Sequence, residues 1–275
     1  MTRKAAAERK VQMDPSFPNM SLHIVKDLPQ VKNKTSMSDA AQEVVDNLKT
    51  LVDATRGAAH HRTPQQRYLR GAAGRLTLDQ LGVSVAHPGT VNPSAETQLE
   101  IKLLTAHREG AFIAPWARLI DRQVPLNSER EAEGWGAIDL FGLTDQGRPV
   151  IIELKKGDSD ETPLRAVLEA AAYAIAVAEN WAQISWECVA WQESDGGGAP
   201  ILPASDPYPM SIVVASEARF WENWNRWSTT GIGVPADTRS SLRTVVEALA
   251  VHRIITTFAT IGPELHTVYE MTPWA

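Results

Sequence analysis

Two apolar segments, IDLFGL at residues 138–143 and PVIIELKK at residues 149–156, carry charged side chains inside sequences that otherwise predict buried strands. The segment TDQGR between them contains a glycine and predicts a turn, so we expect the two strands to pair as neighbours. An unpaired charge in a protein core costs several kcal/mol. A chain that places Asp139, Glu153 and Lys155 here must therefore either pair these charges with one another or use them in a functional site.

The three charged residues are expected to converge. Successive residues of a strand point to opposite faces, so Glu153 and Lys155 share one face, and Asp139 on the paired strand lies at about their level. Carboxylate oxygens suit Mg²⁺, which keeps water and substrate phosphate in its remaining coordination positions. We therefore predict Asp139, Glu153 and the backbone carbonyl of Leu154 as metal ligands. Lys155 is expected to face the scissile phosphate.

A helix is predicted directly before these strands, in SAETQLEIKLLTAH at residues 94–107, with a serine as its N-cap. Leu99 and Leu103 form its apolar stripe. We prefer Glu96 as the carboxylate that this helix adds to the metal site, because Glu96 lies beside that stripe. Glu100, one helical turn later, is the competing candidate.

The remaining patterns predict further strands and helices. Residues 118–126 predict a strand ahead of the charged pair, and a helix with Thr162 as N-cap and Pro163 as its first residue follows that pair. ISWECVAW at residues 184–191 and MSIVVAS at residues 210–216 are further strand candidates. The C-terminal part then predicts a short helix, a longer helix and a last strand.

Three tryptophans, Trp221, Trp224 and Trp227, recur three residues apart on one face of the predicted short helix. This spacing fits both stacking on nucleic-acid bases and packing against the sheet. We favour packing, because aromatic residues at helical spacing first indicate burial.

The N-terminal part divides into two regions. Residues 1–37 carry seven Lys or Arg against three Asp or Glu without a sustained period, and therefore predict a flexible basic arm. Residues 38–92 predict a helical region, whose first helix begins at Ser38. Residues 93–275 are predicted to form the α/β domain with a C-terminal extension.

Composition limits the surroundings in which the chain can work. The net charge of −6 gives no global basic field, so a nucleic-acid surface would have to be a local groove. A single cysteine, Cys188, excludes an internal disulfide and a cysteine-rich zinc site, and suits a reducing cytoplasm. About 18 consecutive apolar residues occur nowhere in the chain, so we expect a cytoplasmic protein without a membrane partner.

Asp139, followed after thirteen residues by Glu153-Leu154-Lys155 between two predicted helices, resembles the PD-(D/E)xK nuclease superfamily. The resemblance covers about residues 94–216 and implies a central mixed β-sheet flanked by helices, with a restriction-endonuclease-like αβββαβ core. It also implies hydrolysis of nucleic-acid phosphodiester bonds with Mg²⁺ or Mn²⁺. In this family the Asp and Glu bind the metal, the Lys assists attack by water, and a helix Glu, here Glu96, joins them.

The chain departs from the family pattern at two positions. Glu169 stands where many members carry Gln, whereas Tyr173 matches the Tyr four residues later, and Ile138 replaces the proline of the family motif. The resemblance implies DNA in preference to RNA, in restriction, repair or phage defence. Two alternatives stay open: a catalytically inactive nuclease-fold subunit that binds nucleic acid or assembles with other proteins, and cleavage only in a homodimer or with a partner protein.

Overall fold

The protein has an α/β fold in which helices cover both faces of one mixed sheet. The computed structural model describes residues 20–33, 37–61, 68–69, 94–110, 118–126, 136–195, 200–229, 238–262 and 268–271. The helices are α1 (Leu22–Val25), α2 (Pro29–Lys32), α3 (Met37–Ala58), α4 (Ala95–Arg108), α5 (Pro163–Glu179), α6 (Trp181–Asp195), α7 (Ala218–Thr229) and α8 (Thr238–Val251). The strands are β1 (Arg118–Pro125), β2 (Ala137–Leu143), β3 (Pro149–Lys155), β4 (Met210–Glu217), β5 (Ile254–Ile261) and β6 (Val268–Met271).

The sheet has six strands in the order β1-β2-β3-β4-β5-β6. Strands β1, β2 and β3 form an antiparallel meander, β3, β4 and β5 run parallel, and β6 is antiparallel to β5. The carboxyl ends of β3, β4 and β5 therefore lie at the same edge of the sheet as the start of β2. We call this edge the C-terminal edge.

Strand β3 lies at the centre of the sheet and every one of its residues is buried. Ile151 faces the large core that contains α3 and α5, whereas Ile152 and Leu154 face the smaller core under α4. A strand covered on both faces reads as a continuous apolar run, which explains the sequence PVIIELKK. Glu153 and Lys155 are charged exceptions within this run.

The elements around the charged strands match the predictions. Helix α4 begins after Ser94, whose hydroxyl accepts a hydrogen bond from the Thr97 N–H at 3.1 Å. Helix α5 begins with Pro163 after the N-cap Thr162, whose hydroxyl accepts from the Arg165 N–H. Strands β1 to β4 all form within a residue or two of the predicted bounds.

The strand predicted at residues 184–191 is wrong, because these residues belong to helix α6. Ile184, Cys188 and Trp191 are buried, whereas Trp186 is 58% exposed. The buried residues recur at spacings of four and three, which is a helical period, and a short apolar run does not by itself distinguish a strand from a helix. The order after β3 is therefore two helices and then β4.

The predicted flexible arm is also wrong for residues 20–33, which form α1 and α2 and pack against the domain. Leu22, Val25 and Val31 are fully buried. The Thr162 hydroxyl donates to the Val31 carbonyl at 2.6 Å, and the Leu22 N–H donates to the Thr55 hydroxyl. Helices of four residues are too short to produce a periodic sequence signal, and distant contacts stabilise them. Residues 1–19 and 34–36 of the predicted arm lie outside the described residues.

Two other predictions are settled in part. Helix α3 confirms the first predicted N-terminal helix, with Met37 as its first residue, whereas residues 62–67 and 70–93 lie outside the described part of the chain. Trp221 and Trp224 are buried, and the indole N–H of Trp221 donates to the Ala259 carbonyl, so packing is confirmed for both. The side chain of Trp227 lies outside the described residues.

None of the described helices has the length and apolar character to cross a bilayer.

Candidate active site

Asp139 joins the two charged strands at the C-terminal edge. Pairing between β2 and β3 ends at Leu140 and Ile152, and Asp139 lies one residue beyond this pair. Its Oδ2 atom accepts a hydrogen bond from the Leu154 N–H at 2.8 Å. The carboxylate thus bridges the strands at the point where they diverge, at the predicted level of Glu153.

Lys155 is a buried cation surrounded by carboxylates. Its Nζ lies 2.7 Å from Glu153 Oε1, 2.7 Å from Glu161 Oε2 and 3.5 Å from Glu169 Oε2. Of these three contacts, the one with Glu153 has hydrogen-bond geometry. Burial lowers the pKa of Lys155, but Glu153 and Glu169 raise it more, so the pKa lies above its ordinary value. Lys155 therefore stays protonated at neutral pH.

The two strand carboxylates lie next to one another, with Glu153 buried and Asp139 half-buried. Burial raises the pKa of Glu153 to about 7, although Lys155 opposes this shift. Burial, then the charges of Glu153 and Glu100, raise the pKa of Asp139 well above its ordinary range. Asp139 forms no ion pair within the described part of the chain. A buried salt bridge thus accounts for Glu153 but leaves Asp139 without a cation.

Helix α4 contributes Glu100 rather than the predicted Glu96. Glu100 is 1% exposed, and its Oε1 accepts a hydrogen bond from Gln123 Nε2 at 3.0 Å. The same nitrogen lies 3.3 Å from Asp139 Oδ1, so the Gln123 amide links the two carboxylates. Glu96 is half-buried. Glu100 shares a helix face with Leu103 and with the leucine after it, a pattern that could have identified it.

Glu100 is charged less readily than an exposed glutamate. Burial raises the pKa of Glu100 to about 7, against the opposing effect of Arg122, whose Nη1 lies 2.7 Å from Glu100 Oε2. Gln123, which joins Glu100 to Asp139, has a φ of 49°, in a region that residues other than glycine seldom adopt. Such backbone conformations gather at functional sites. Sequence patterns gave no signal for Gln123.

A second layer of charge surrounds Lys155. Glu169 Oε1 lies 2.7 Å from Lys26 Nζ and accepts a hydrogen bond from the Tyr173 hydroxyl at 2.9 Å. Burial opposes ionisation, but Lys155 and Lys26 lower the pKa of Glu169 to about 2. Glu169 and Tyr173 thus both lie at the site. Lys26 was missed because it falls within the predicted arm.

Carboxylate oxygens are numerous around Asp139 and Lys155. Among the described residues, this network includes the carboxylates Glu100, Asp139, Glu153, Glu161 and Glu169 and the cations Lys26, Arg122, Lys155 and Arg165. Two of the acidic oxygens, Glu161 Oε2 and Glu169 Oε2, are buried and accept no hydrogen bond from a described residue. Carboxylate oxygens are the donor type that a hard divalent cation prefers.

The residues fit Mg²⁺ or Mn²⁺ by donor type, although their present arrangement is not a finished coordination shell. Within the described ranges, no three His, Cys, Asp or Glu residues are grouped to hold a metal. Asp139 and Glu153 supply oxygen donors, and Glu100 is the third carboxylate nearby. The Leu154 backbone lies at the site through its N–H, and a role for its carbonyl stays a prediction.

A groove opens at the same C-terminal edge, between α4 and the start of α7. Its volume is about 560 Å³, and its lining includes Lys102, Glu217 and Arg219. Glu217 accepts a hydrogen bond from the Gly157 N–H at 3.0 Å, just after the charged strand. Lys102 and Arg219 form no ion pair with a residue that the structure describes. The acidic chain thus has a local pair of cations beside the candidate site.

Comparison with protein-family models finds no match to this chain, and the curated proteins and the solved structures give no match either.

Proposed function

We propose that the protein is a Mg²⁺-dependent nuclease of the PD-(D/E)xK type, which hydrolyses phosphodiester bonds of DNA in preference to RNA. The observation that carries this proposal is Asp139: a half-buried carboxylate beside Glu153 that forms no ion pair with a described residue, at the edge where Lys155 also lies. Such a group is unfavourable for stability, and a bound divalent cation would compensate its charge. The order α4, β1, β2, β3, α5, β4 agrees with a restriction-endonuclease-like core, to which α6 is an addition.

Asp139 and Glu153 would hold the ion, with Glu100 as the carboxylate from helix α4. When bound, Mg²⁺ or Mn²⁺ would polarise a phosphoryl oxygen and lower the pKa of a bound water. Gln123 orients the Asp139 and Glu100 carboxylates through its amide. The Leu154 N–H fixes the other oxygen of Asp139, so this carboxylate is oriented before substrate binds.

Lys155 is assigned an electrostatic role. Because its pKa lies above the ordinary value, the ammonium group holds its proton at neutral pH and does not act as a general base. It would instead stabilise the negative charge that grows on the phosphate during attack. The proton of the attacking water would therefore pass to a group other than Lys155.

The groove at the C-terminal edge supports a nucleic-acid substrate. Lys102 and Arg219 line it, and Lys and Arg side chains commonly contact phosphate oxygens. Strand β4 ends at Glu217 and pairs with β3 through Ser216 and Lys155, so the groove and the charged strand share one edge. A phosphodiester chain crossing this edge could contact both.

The second candidate is an inactive nuclease-fold protein that binds nucleic acid or a partner. The contacts of Lys155 with three carboxylates favour it, because an ammonium already surrounded by negative charge is less available to a phosphate. A further alternative is that the chain cuts only as a homodimer or with a partner protein that supplies further basic surface. Activity and metal binding separate these candidates.

The test is cleavage of supercoiled plasmid, linear duplex, single-stranded DNA and RNA with Mg²⁺ or Mn²⁺. We expect metal-dependent cutting of DNA that Asp139→Asn and Lys155→Ala abolish. Asp145→Asn is the matched control, since Asp145 is an exposed carboxylate in the turn between the same two strands. An inert wild type that binds no divalent ion by calorimetry rules out the nuclease. Metal binding without cutting points to a missing partner or substrate.

A further inference from the structure

We propose that Lys26 is a positioning residue of the candidate site and that residues 20–33 are a structural part of that site. This inference rests on the proposed nuclease function. Lys26 would neutralise Glu169 and so prevent this carboxylate from withdrawing Lys155 from Glu153 and from the substrate phosphate.

The contacts of Lys26 place its charge inside the buried network. Its Nζ lies 2.7 Å from Glu169 Oε1, and the two side chains are 5% and 11% exposed. The ammonium also lies 5.6 Å from the centre of the Tyr173 ring. Lys155 Nζ approaches the other oxygen of Glu169, Oε2, at 3.5 Å. Glu169 is thus shared between two lysines, one from the N-terminal segment and one from strand β3.

The distances show why Glu169 needs its own cation. Lys155 contacts Glu153 and Glu161 at 2.7 Å, and Glu169 is its most distant carboxylate partner. A buried carboxylate without Lys26 would depend on Lys155 as its nearest cation and would draw that ammonium towards α5. With Lys26 in place, Glu169 Oε1 is occupied, and the hydrogen bond between Lys155 and Glu153 is retained.

Lys26 is held in place by its neighbours in sequence. Asp27 lies 3.0 Å from Lys32 and 3.3 Å from Arg165 of helix α5, and the Val31 carbonyl accepts a hydrogen bond from Thr162. Helix α5 also carries Glu169, so one helix anchors both the segment and the residue that Lys26 contacts. These contacts therefore hold the ammonium group of Lys26 in a fixed position.

The charges of Lys26 and Glu169 compensate each other. Their ion pair adds one positive and one negative charge to the site, so the pair as a whole is neutral. Replacing both residues by neutral ones should therefore be tolerated better than replacing Lys26 alone.

The experiment compares Lys26→Met, Lys26→Arg, the double variant Lys26→Met/Glu169→Gln, and Lys49→Met as an exposed control on helix α3. The measurements are kcat for DNA cleavage and the affinity for Mn²⁺ by calorimetry, with thermal unfolding as a check of folding. We expect Lys26→Met to lower kcat about tenfold or more and to bind Mn²⁺ more tightly, since the site loses a positive charge. Lys26→Arg keeps the charge, and kcat should stay within about threefold of the wild type.

The double variant gives the decisive comparison. A positioning role predicts that Glu169→Gln returns both kcat and Mn²⁺ affinity of Lys26→Met to within about threefold of the wild type. If Lys26 only packs, Mn²⁺ affinity is unchanged in Lys26→Met and Glu169→Gln gives no rescue, which overturns this inference while the nuclease stands. If the wild type neither cuts nor binds Mn²⁺, the proposed function itself falls, and this inference with it.

Discussion

The carboxylate of Asp139 accepts a hydrogen bond from the backbone N–H of Leu154 at 2.8 Å, at the point where β2 and β3 stop pairing. The side chain replaces the backbone acceptor that a continuing strand would have supplied. Asp139 therefore has a clear structural task, but this task needs an oxygen acceptor and not a negative charge. The distinction allows the contributions of Asp139 to stability and to activity to be separated by experiment.

We expect Asp139→Asn to abolish cleavage without destabilising the protein. Asparagine keeps an oxygen acceptor for the Leu154 N–H and removes a half-buried carboxyl group, whose pKa is raised by burial and by Glu153. The free energy of unfolding at pH 8 should rise by roughly 1–3 kcal/mol in metal-free buffer, from urea titration. A loss of more than about 1 kcal/mol would contradict the view that the Asp139 charge serves function rather than folding.

Asp139→Ala provides the comparison for this measurement. Alanine removes the acceptor as well as the charge, and leaves the Leu154 N–H without its partner. An unsatisfied buried donor costs about 1–3 kcal/mol, so Asp139→Ala should be less stable than Asp139→Asn by about that amount. Equal stabilities of the two variants would show that the hydrogen bond contributes little.

The stability of the metal-free protein should fall as pH rises from about 5 to about 7. Burial raises the pKa of Glu100 to about 7, so between its unfolded and folded pKa values the folded state binds more protons than the unfolded state. Stability then decreases with pH, by up to about 1.4 kcal/mol per pH unit for a single group. The raised pKa values of Asp139 and Glu153 act in the same direction.

Urea titrations from pH 5 to pH 8 with a chelator test this dependence. In Glu100→Gln the slope between pH 5 and pH 7 should be visibly smaller than in the wild type. Glu247→Gln serves as the control, because Glu247 is an exposed carboxylate paired with Arg243 on helix α8. A wild-type stability that is flat or rises across this range would show that Glu100 is ionised throughout.

In acid, Glu169 should make the stability of the protein change with pH in the opposite direction. Lys155 and Lys26 outweigh burial and lower its pKa to about 2, so the stability contributed by its charged form is present above its unfolded pKa. This contribution is lost as pH falls from about 4.5 towards 2. The acid unfolding midpoint, followed by circular dichroism, should therefore shift in Glu169→Gln, with Glu247→Gln again as the control.

The parts of the site that lie on regular elements could be predicted from the sequence. Asp139, Glu153 and Lys155 were found because strands alternate faces and because charge in an apolar strand is unusual. The sequence favours Glu96 over Glu100 because Glu96 lies beside the leucine stripe, but the side-chain direction that separates them depends on how α4 packs on the sheet. The packing of α4 on the sheet cannot be read from a single sequence.

The residues that sequence reasoning missed have no periodic signal. Gln123 reaches Glu100 and Asp139 from a backbone position with a φ of 49°, in a strand whose register with β2 shifts earlier, between Leu119 and Asp121. Lys26 belongs to two four-residue helices whose stability comes from contacts with Thr55 and Thr162, which are distant in sequence. The strand predicted at residues 184–191 failed because a short apolar run fits two periods, and only burial decides between them.

Removing the two groove cations should weaken DNA binding in a salt-dependent way. In Lys102→Ala/Arg219→Ala, we expect the slope of log K against log salt to decrease by up to about 2, because each phosphate contact contributes about 0.9. Fluorescence anisotropy with a labelled duplex, in Ca²⁺ to suppress cleavage, measures this slope. Arg243→Ala is the matched control, since Arg243 is exposed but paired with Glu247. An unchanged slope in the double variant would place the phosphate backbone on another surface and leave the groove without a role in binding.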